Sequence, residues 1–368
     1  MSNMTKMTFK TLKTSFTFRR TSGAIALAAA AMAANPAWAA CSYEPFLNAF
    51  FGDTCSSTVT SYKDWESFRR ANPTPRVLSE SQMVTIASST TAQRNRALAA
   101  SGNAGLPGQT GLAGSAADSR WNGWAAASSN NVAYTFTPLN SSGRVNSLLA
   151  GFDYSFKNGA LAGVALGSDT SNTNTSFNNG SISTSGTTVA PYFMVPLATN
   201  WLFDGSIGIG SGKINSNFGG GVTGSATERR SFAALGVTNL MTLDKWQIQS
   251  NLQLLTSSNK TERFTLSNAA VINETTSGVT QLRAGARGSY GSGQFVPYAG
   301  LTYAQDLSRP DIAPVAGQTA ANARGAFIVQ GGVNINQAGV VSGSVGLNSE
   351  IRNQTRNTGL LATISMKF

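Results

Sequence analysis

From Trp121 to Phe368 apolar and polar residues alternate with a period of two, interrupted at intervals by Gly-, Asn- and Ser-rich breaks. Such a pattern predicts β-strands with one apolar and one polar face. Trp246, Ile248, Ser250, Leu252 and Leu254 share one side of a strand, and Gln247, Gln249, Asn251 and Gln253 share the other. Val341, Gly343, Val345 and Leu347 alternate likewise with Ser342, Ser344, Gly346 and Asn348, as do Trp201, Phe203, Ile207 and Ile209 with Asp204 and Ser206. The last stretch places Leu360, Ala362, Ile364, Met366 and Phe368 on one face and Leu361, Thr363, Ser365 and Lys367 on the other. Phe295 to Asp306 alternates too poorly for its faces to be oriented.

The breaks are of two kinds. Tight turns fall at Lys157-Asn158-Gly159, Ala198-Thr199-Asn200, Asp244-Lys245, Gly291-Ser292-Gly293 and Asn336-Gln337-Ala338-Gly339, each rich in the residues that two- to four-residue hairpins require. Longer links are expected near 137–143, 172–180, 215–225, 257–275, 307–321 and 349–357. Five turns and six links join twelve strands. The fold class is therefore all-β: a twelve-stranded antiparallel barrel of the outer-membrane kind, with short turns at one end and long loops at the other. An even strand count puts Trp121 and Phe368 at the same end, the tight-turn end.

Composition supports strands that span a membrane. Charged residues make up 12% of the chain, against roughly 25% in soluble proteins, and no mature segment is apolar for the 18 or more residues that a helical span needs. Asp153, Asp204, Arg283, Arg287, Arg324 and Glu350 fall on polar faces. A charge facing lipid at mid-membrane costs roughly 2 to 4 kcal/mol, so all six are expected to face the lumen, where they solvate it, pair with whatever occupies it, or form a selectivity ring. Trp201 and Trp246 directly follow tight turns, Trp121 and Trp124 open the first strand at the same end, and all four are expected in an aromatic girdle.

The net charge of +11 includes five leader cations, Lys6, Lys10, Lys13, Arg19 and Arg20. Without them +6 remains, too diffuse to imply nucleic acid. There is no histidine, which removes histidine triads, imidazole-ligated zinc and histidine acid–base chemistry. Glu228 and Glu262, flanked by Arg229, Arg230 and Arg263, read as solvated or in contact with anionic headgroups. No enzyme, cofactor or metal site is expected.

Residues 1–39 read as a secretory signal: a basic segment, an apolar core from Ala24 to Ala34, and Ala37-Trp38-Ala39 as a small-x-small cleavage site that leaves Ala40 first. A barrel must cross the inner membrane unfolded, which implies the Sec route despite Arg19-Arg20. Cys41 and Cys55 are the only cysteines, and a local disulfide in an oxidising compartment is expected. Residues 40–78 form a short exported module, and 79–117 a linker leading to a barrel at 118–368. Within the linker, Ser79 to Ala100 would span about 33 Å as a helix. It reads either as a water-lined pore helix or as an unstructured linker, since Ser and Thr are poor helix formers.

Four segments carry a resemblance: Trp121-Asn-Gly-Trp124, Leu149-Ala-Gly-Phe-Asp-Tyr-Ser-Phe156, Ala160-Leu-Ala-Gly-Val-Ala-Leu-Gly167 and the closing Leu360 to Phe368. With the strand count, residues 121–368 resemble the translocator domain of the autotransporters, the type V secreted proteins. The resemblance implies a helix threading the pore, which matches Ser79 to Ala100. It also implies that the strand ending on Ile364, Met366 and Phe368 is the signal read by the barrel-assembly machinery, after escort by periplasmic chaperones. The chain departs from the family in having about forty residues before the candidate helix where a long repetitive passenger is usual.

The function that follows is a Gram-negative outer-membrane translocator, embedded in phospholipid and lipopolysaccharide, that exports and anchors its own N-terminal segment at the cell surface. The alternative is a porin-like or structural barrel plugged by that segment.

Overall fold

The computed structural model describes residues 120–134, 141–175, 179–198, 200–291, 294–308, 323–336, 341–353 and 355–367. Ala37, Ala39, Ala40, Cys41, Cys55, the segment 79–100 and Phe368 lie outside the described residues.

Twelve strands form one closed antiparallel barrel: β1 (Trp121–Tyr134), β2 (Ser141–Ser155), β3 (Leu161–Thr175), β4 (Gly180–Ala198), β5 (Trp201–Asn217), β6 (Thr223–Leu243), β7 (Trp246–Thr261), β10 (Thr275–Tyr290), β11 (Phe295–Ser308), β12 (Gly325–Asn336), β13 (Val341–Arg352) and β14 (Thr355–Lys367). Each strand pairs with its neighbours in the chain, and β14 closes on β1 from Asn122↔Lys367 to Tyr134↔Thr355. Closure leaves no sheet edge, the condition under which strands can cross hydrocarbon. Two short strands, β8 (Phe264–Thr265) and β9 (Val271–Ile272), pair as a separate hairpin within the link from β7 to β10.

Strand extends into all six of the long links expected from composition. β3 continues to Thr175 and β4 begins at Gly180, while β13 and β14 are separated by two residues. Only the β7–β10 and β11–β12 links exceed six residues. The Ser-, Thr- and Asn-rich sequences that suggested loops are held in the ladder by cross-strand hydroxyl pairs, such as Ser171 Oγ to Thr184 Oγ1 at 2.6 Å and Ser349 Oγ to Thr358 Oγ1 at 3.3 Å.

Side-chain parity holds along every strand. Leu166, Ile207, Ile209, Leu252, Leu301 and Leu347 point outward and are more than half exposed, an apolar exterior that only lipid can solvate favourably. β11, ambiguous in sequence, resolves to Phe295, Leu301 and Tyr303 outside and Val296, Ala304 and Asp306 inside. Its pattern is blurred because small apolar residues also face inward.

The interior is not uniformly polar either. Leu149, Leu161, Met194, Leu202 and Phe232 cluster with Trp124 and Tyr192 on the inner wall of β1 to β6. Rings there lie across glycines on the adjacent strand. A Cβ on Gly151, opposite Trp124, would stand 2.2 Å from the indole, and one on Gly208, opposite Phe232, would stand 2.0 Å from that ring.

At the loop end Phe218, Leu266 and Ile272 form a small second core with Val222 and Phe264. It ties the β5–β6 turn to the β8–β9 hairpin, through Ser267 N donating to the Thr223 carbonyl at 2.8 Å and Thr223 N donating to Ser267 Oγ at 3.0 Å.

Candidate functional site

The interior charges are organised into networks. On β3 and β6, Arg230 donates from Nη1 to both carboxylate oxygens of Asp169 at 2.7 Å and from Nε to Glu228 Oε1 at 2.5 Å. Asn259 Nδ2 on β7 donates to Glu228 Oε2 at 2.8 Å. All three charged side chains are at most 1% exposed. Gly186 and Gly212 leave the room that the guanidinium occupies, since a Cβ on either would stand 2.7 to 2.8 Å from Arg230.

A second network joins β10, β11 and β13. Arg352 donates from Nη1 to Asp306 Oδ2 at 2.5 Å and from Nη2 to Glu350 Oε1 at 3.2 Å. Gln281 Nε2 donates to Asp306 Oδ1 at 2.6 Å, and Arg283 Nε to Gln281 Oε1 at 2.5 Å. Nearer the turn end, Trp124 Nε1 donates to the Tyr192 hydroxyl at 2.6 Å, and that hydroxyl donates to Asp153 Oδ2 at 2.8 Å. Arg287 lies 3.6 Å from the centroid of the Tyr298 ring and donates to Asn334 Oδ1 at 2.8 Å, a cation–π contact sharpened by burial.

Asp153, Asp204, Arg283 and Arg287 thus lie on the inner wall, Asp204 in the space left by Gly236 opposite. Glu350 belongs to the second network. Arg324 precedes β12 at the loop-end mouth, with its Nη1 3.5 Å from the Leu307 carbonyl. Of the four girdle candidates, Trp121, Trp201 and Trp246 point outward at 46%, 47% and 48% exposure. Trp124 corrects the expectation: it is 6% exposed and faces the lumen. It stands three residues from Trp121, and an odd spacing on a period-two strand reverses the face. The outward ring gains residues that sequence reading omitted, with Trp121 4.8 Å from Tyr154 and Trp246 5.0 Å from Tyr290 between centroids.

Glu228 is also corrected. It is fully buried inside the barrel rather than solvated, while Glu262 does sit at the surface, bridged to Arg229 at 3.1 Å. The Arg229-Arg230 pair carried the missed signal, since consecutive strand residues face opposite ways and one of them must point inward. Asp169 and Asp306 gave no local sign of the arginines that neutralise them, because Arg230 lies 61 residues from Asp169 and Arg352 lies 46 from Asp306. On the closing strand Leu360, Ile364 and Met366 point outward at 47%, 54% and 46% exposure, and Ala362 shares their face. Among the described residues no cluster of three or more acidic, histidine or cysteine side chains is placed to hold a metal ion.

A closed twelve-stranded antiparallel barrel with an aliphatic exterior and a charged, hydrogen-bonded interior is an outer-membrane β-barrel. The family model described as Autotransporter beta-domain matches residues 122–355, and the chain belongs to that family. Domains of this family are generally not enzymes. The fold is similar to the translocator domain of autotransporter NalP from Neisseria meningitidis, at a TM-score of 0.58 and 15% identity over 78% of this chain and 98% of that one. It is also similar to the beta domain of the Bordetella autotransporter BrkA, at a TM-score of 0.56 and 18% identity over 68% of this chain and all of that one. No curated protein sequence matches.

Proposed function

We propose that this barrel exports its own N-terminal segment, residues 40–78, through or with its lumen and then anchors it at the cell surface, with residues 79–100 left threading the pore. Membership of the autotransporter β-domain family carries the reading. The lumen supports it: networks such as Asp169–Arg230–Glu228 hold the inner wall in one arrangement, a fixed lining against which a chain can pass or lodge. The tight-turn end faces the periplasm and the loop end faces outward. Trp121, Trp201 and Trp246 anchor the turn end at the periplasmic interface of the outer membrane. Phospholipid and lipopolysaccharide surround the barrel, and the apolar face of β14 is the segment that the assembly machinery engages.

Protease shaving of intact cells, with an epitope tag placed after Ala40 and a periplasmic protein followed as control, tests the proposal. Loss of the tag while the control survives means that the segment has crossed the outer membrane. A tag that persists until the cells are opened overturns export and leaves a porin-like or structural barrel plugged by its own N-terminal segment.

A further inference from the structure

The two faces of the barrel carry opposite signs. All six carboxylates of the twelve barrel strands, Asp153, Asp169, Asp204, Glu228, Asp306 and Glu350, face inward. Of the strand cations whose side chains are described, Arg230, Arg283, Arg287 and Arg352 face inward with them. Arg144, Lys213, Arg229, Lys260 and Arg356 are exposed on the outer face, and each lies within six residues of its strand's loop end. Among the described side chains, the outer wall at that end therefore carries cations on five of the twelve strands, β2, β5, β6, β7 and β14, with no strand carboxylate beside them.

These cations are densest on β5 to β7. Arg229 and Lys260 are direct cross-strand partners, an arrangement that is unfavourable for like charges. Lys213 faces Thr227, two positions along β6 from Arg229, and Arg263 is exposed just beyond β7. Two carboxylates from the following link offset the four cations in part. Glu262 accepts from Arg229 at 3.1 Å, and Glu274 lies 2.7 Å from Lys260 Nζ. Two positive charges remain in excess, and the Arg229 side chain is 74% exposed.

Below the cations the wall is layered. Ser211, Ser231 and Ser258 present hydroxyls on the outer face, Ser231 opposite Ser258, and the aliphatic band starts with Ile209 and Leu235, 65% and 48% exposed. Two strand residues advance about 7 Å, the depth of a saccharide ring between an acyl chain and a phosphate. Cation, hydroxyl and aliphatic layers in that order complement an amphiphile built as phosphate, sugar and acyl chain.

We propose that the outer wall of β5, β6 and β7 binds a phosphorylated glycolipid, with phosphate on Lys213, Arg229, Lys260 and Arg263, sugar against the serine layer, and acyl chains on Ile209 and Leu235. The site rests on the outer-membrane reading with the loop end outward. A phosphate there offsets the two positive charges that Glu262 and Glu274 leave in excess and is shared between cations of β5, β6 and β7.

The test uses the full-length protein refolded in detergent micelles and titrated with a bis-phosphorylated acylated diglucosamine, with the phosphate-free form of the same glycolipid and phosphatidylcholine as comparisons. Bound lipid is counted by native mass spectrometry. At about fivefold per cation removed near an anionic headgroup, the Lys213→Gln, Arg229→Gln, Lys260→Gln triple variant is expected to bind roughly a hundredfold more weakly. Lys157→Gln with Lys245→Gln at the turn end should bind as the parent does. The phosphate-free glycolipid should bind the parent no better than the phosphorylated one binds the triple variant. Variants are scored only as folded, heat-resistant barrels; if the triple does not fold, Lys213→Gln with Lys260→Gln carries the test, with a loss of about 25-fold expected on the same basis. Unchanged binding by the variant, or equal binding of the phosphate-free glycolipid, overturns the site. Fractionation of cells separates the two readings: a barrel in the outer membrane with no phosphate preference loses only the site, whereas a barrel absent from that membrane loses the localisation on which the site rests.

Discussion

Removing the Arg230 guanidinium should reveal how far the interior depends on its charge networks. Arg230 holds Asp169 by two contacts of 2.7 Å and Glu228 by one of 2.5 Å, in a site where all three side chains are sealed from solvent. Arg230→Met keeps much of the volume and leaves two carboxylates facing each other. At roughly 6 Å and an effective dielectric near 20, their repulsion is about 3 kcal/mol, within the roughly 3 to 5 kcal/mol found when one partner of a buried pair is deleted. Urea unfolding of the barrel in lipid vesicles, followed by tryptophan fluorescence, reads the loss. With a slope of about 3 kcal/mol per molar urea, the midpoint should fall by about 1 M. The charge-free combination Asp169→Asn, Glu228→Gln, Arg230→Met should regain most of that loss, because uncompensated charge, not lost packing, is its cause. An unchanged midpoint for Arg230→Met, or a triple variant no better than the single one, would falsify the reasoning and mean that water, not the guanidinium, neutralises this wall.

Other substitutions separate the roles of the remaining elements. Gly151→Val drives a side chain into the Trp124 indole and should cost about 1 to 3 kcal/mol by overpacking, whereas Gly167→Ala, whose Cβ meets nothing closer than 3.7 Å, should leave the urea midpoint in place. Leu266→Ala removes a large part of the loop-end core of Phe218, Leu266 and Ile272; at about 2 kcal/mol it should open the 262–274 link to protease while the barrel stays heat-resistant on gels. Single-tryptophan versions should place the rings: Trp201 and Trp246 quenched by lipids brominated near the headgroup, and Trp124 protected, with equal quenching of all three refuting the inward assignment.

Strand number and the alternation of faces follow from local chemistry and could be read along the chain. Gly and Asn mark the tight turns because few other residues adopt their backbone angles, as Gly159 and Gly291 do with φ of 81° and 99°. Period-two alternation then orients any strand whose faces differ in polarity, as β7 and β13 do. Where the faces do not differ, the reading fails for a physical reason. β11 presents small apolar residues inward, and the ends of β3 and β4 are polar on both sides, so neither hydropathy nor turn residues mark where the ladder stops; the partner strand does. Trp124 and Glu228 were misplaced because an aromatic or a charge was judged by its type, when its parity within the strand decides its face. What only the closed barrel settles is which side chains meet. Arg230 reaches Asp169 across 61 residues and Arg352 reaches Asp306 across 46, distances set by the order in which the strands wrap. The grouping of outer cations on β5 to β7 likewise belongs to the tertiary structure, because parity gives a charge its face within one strand but only the closed sheet sets which charges stand beside it.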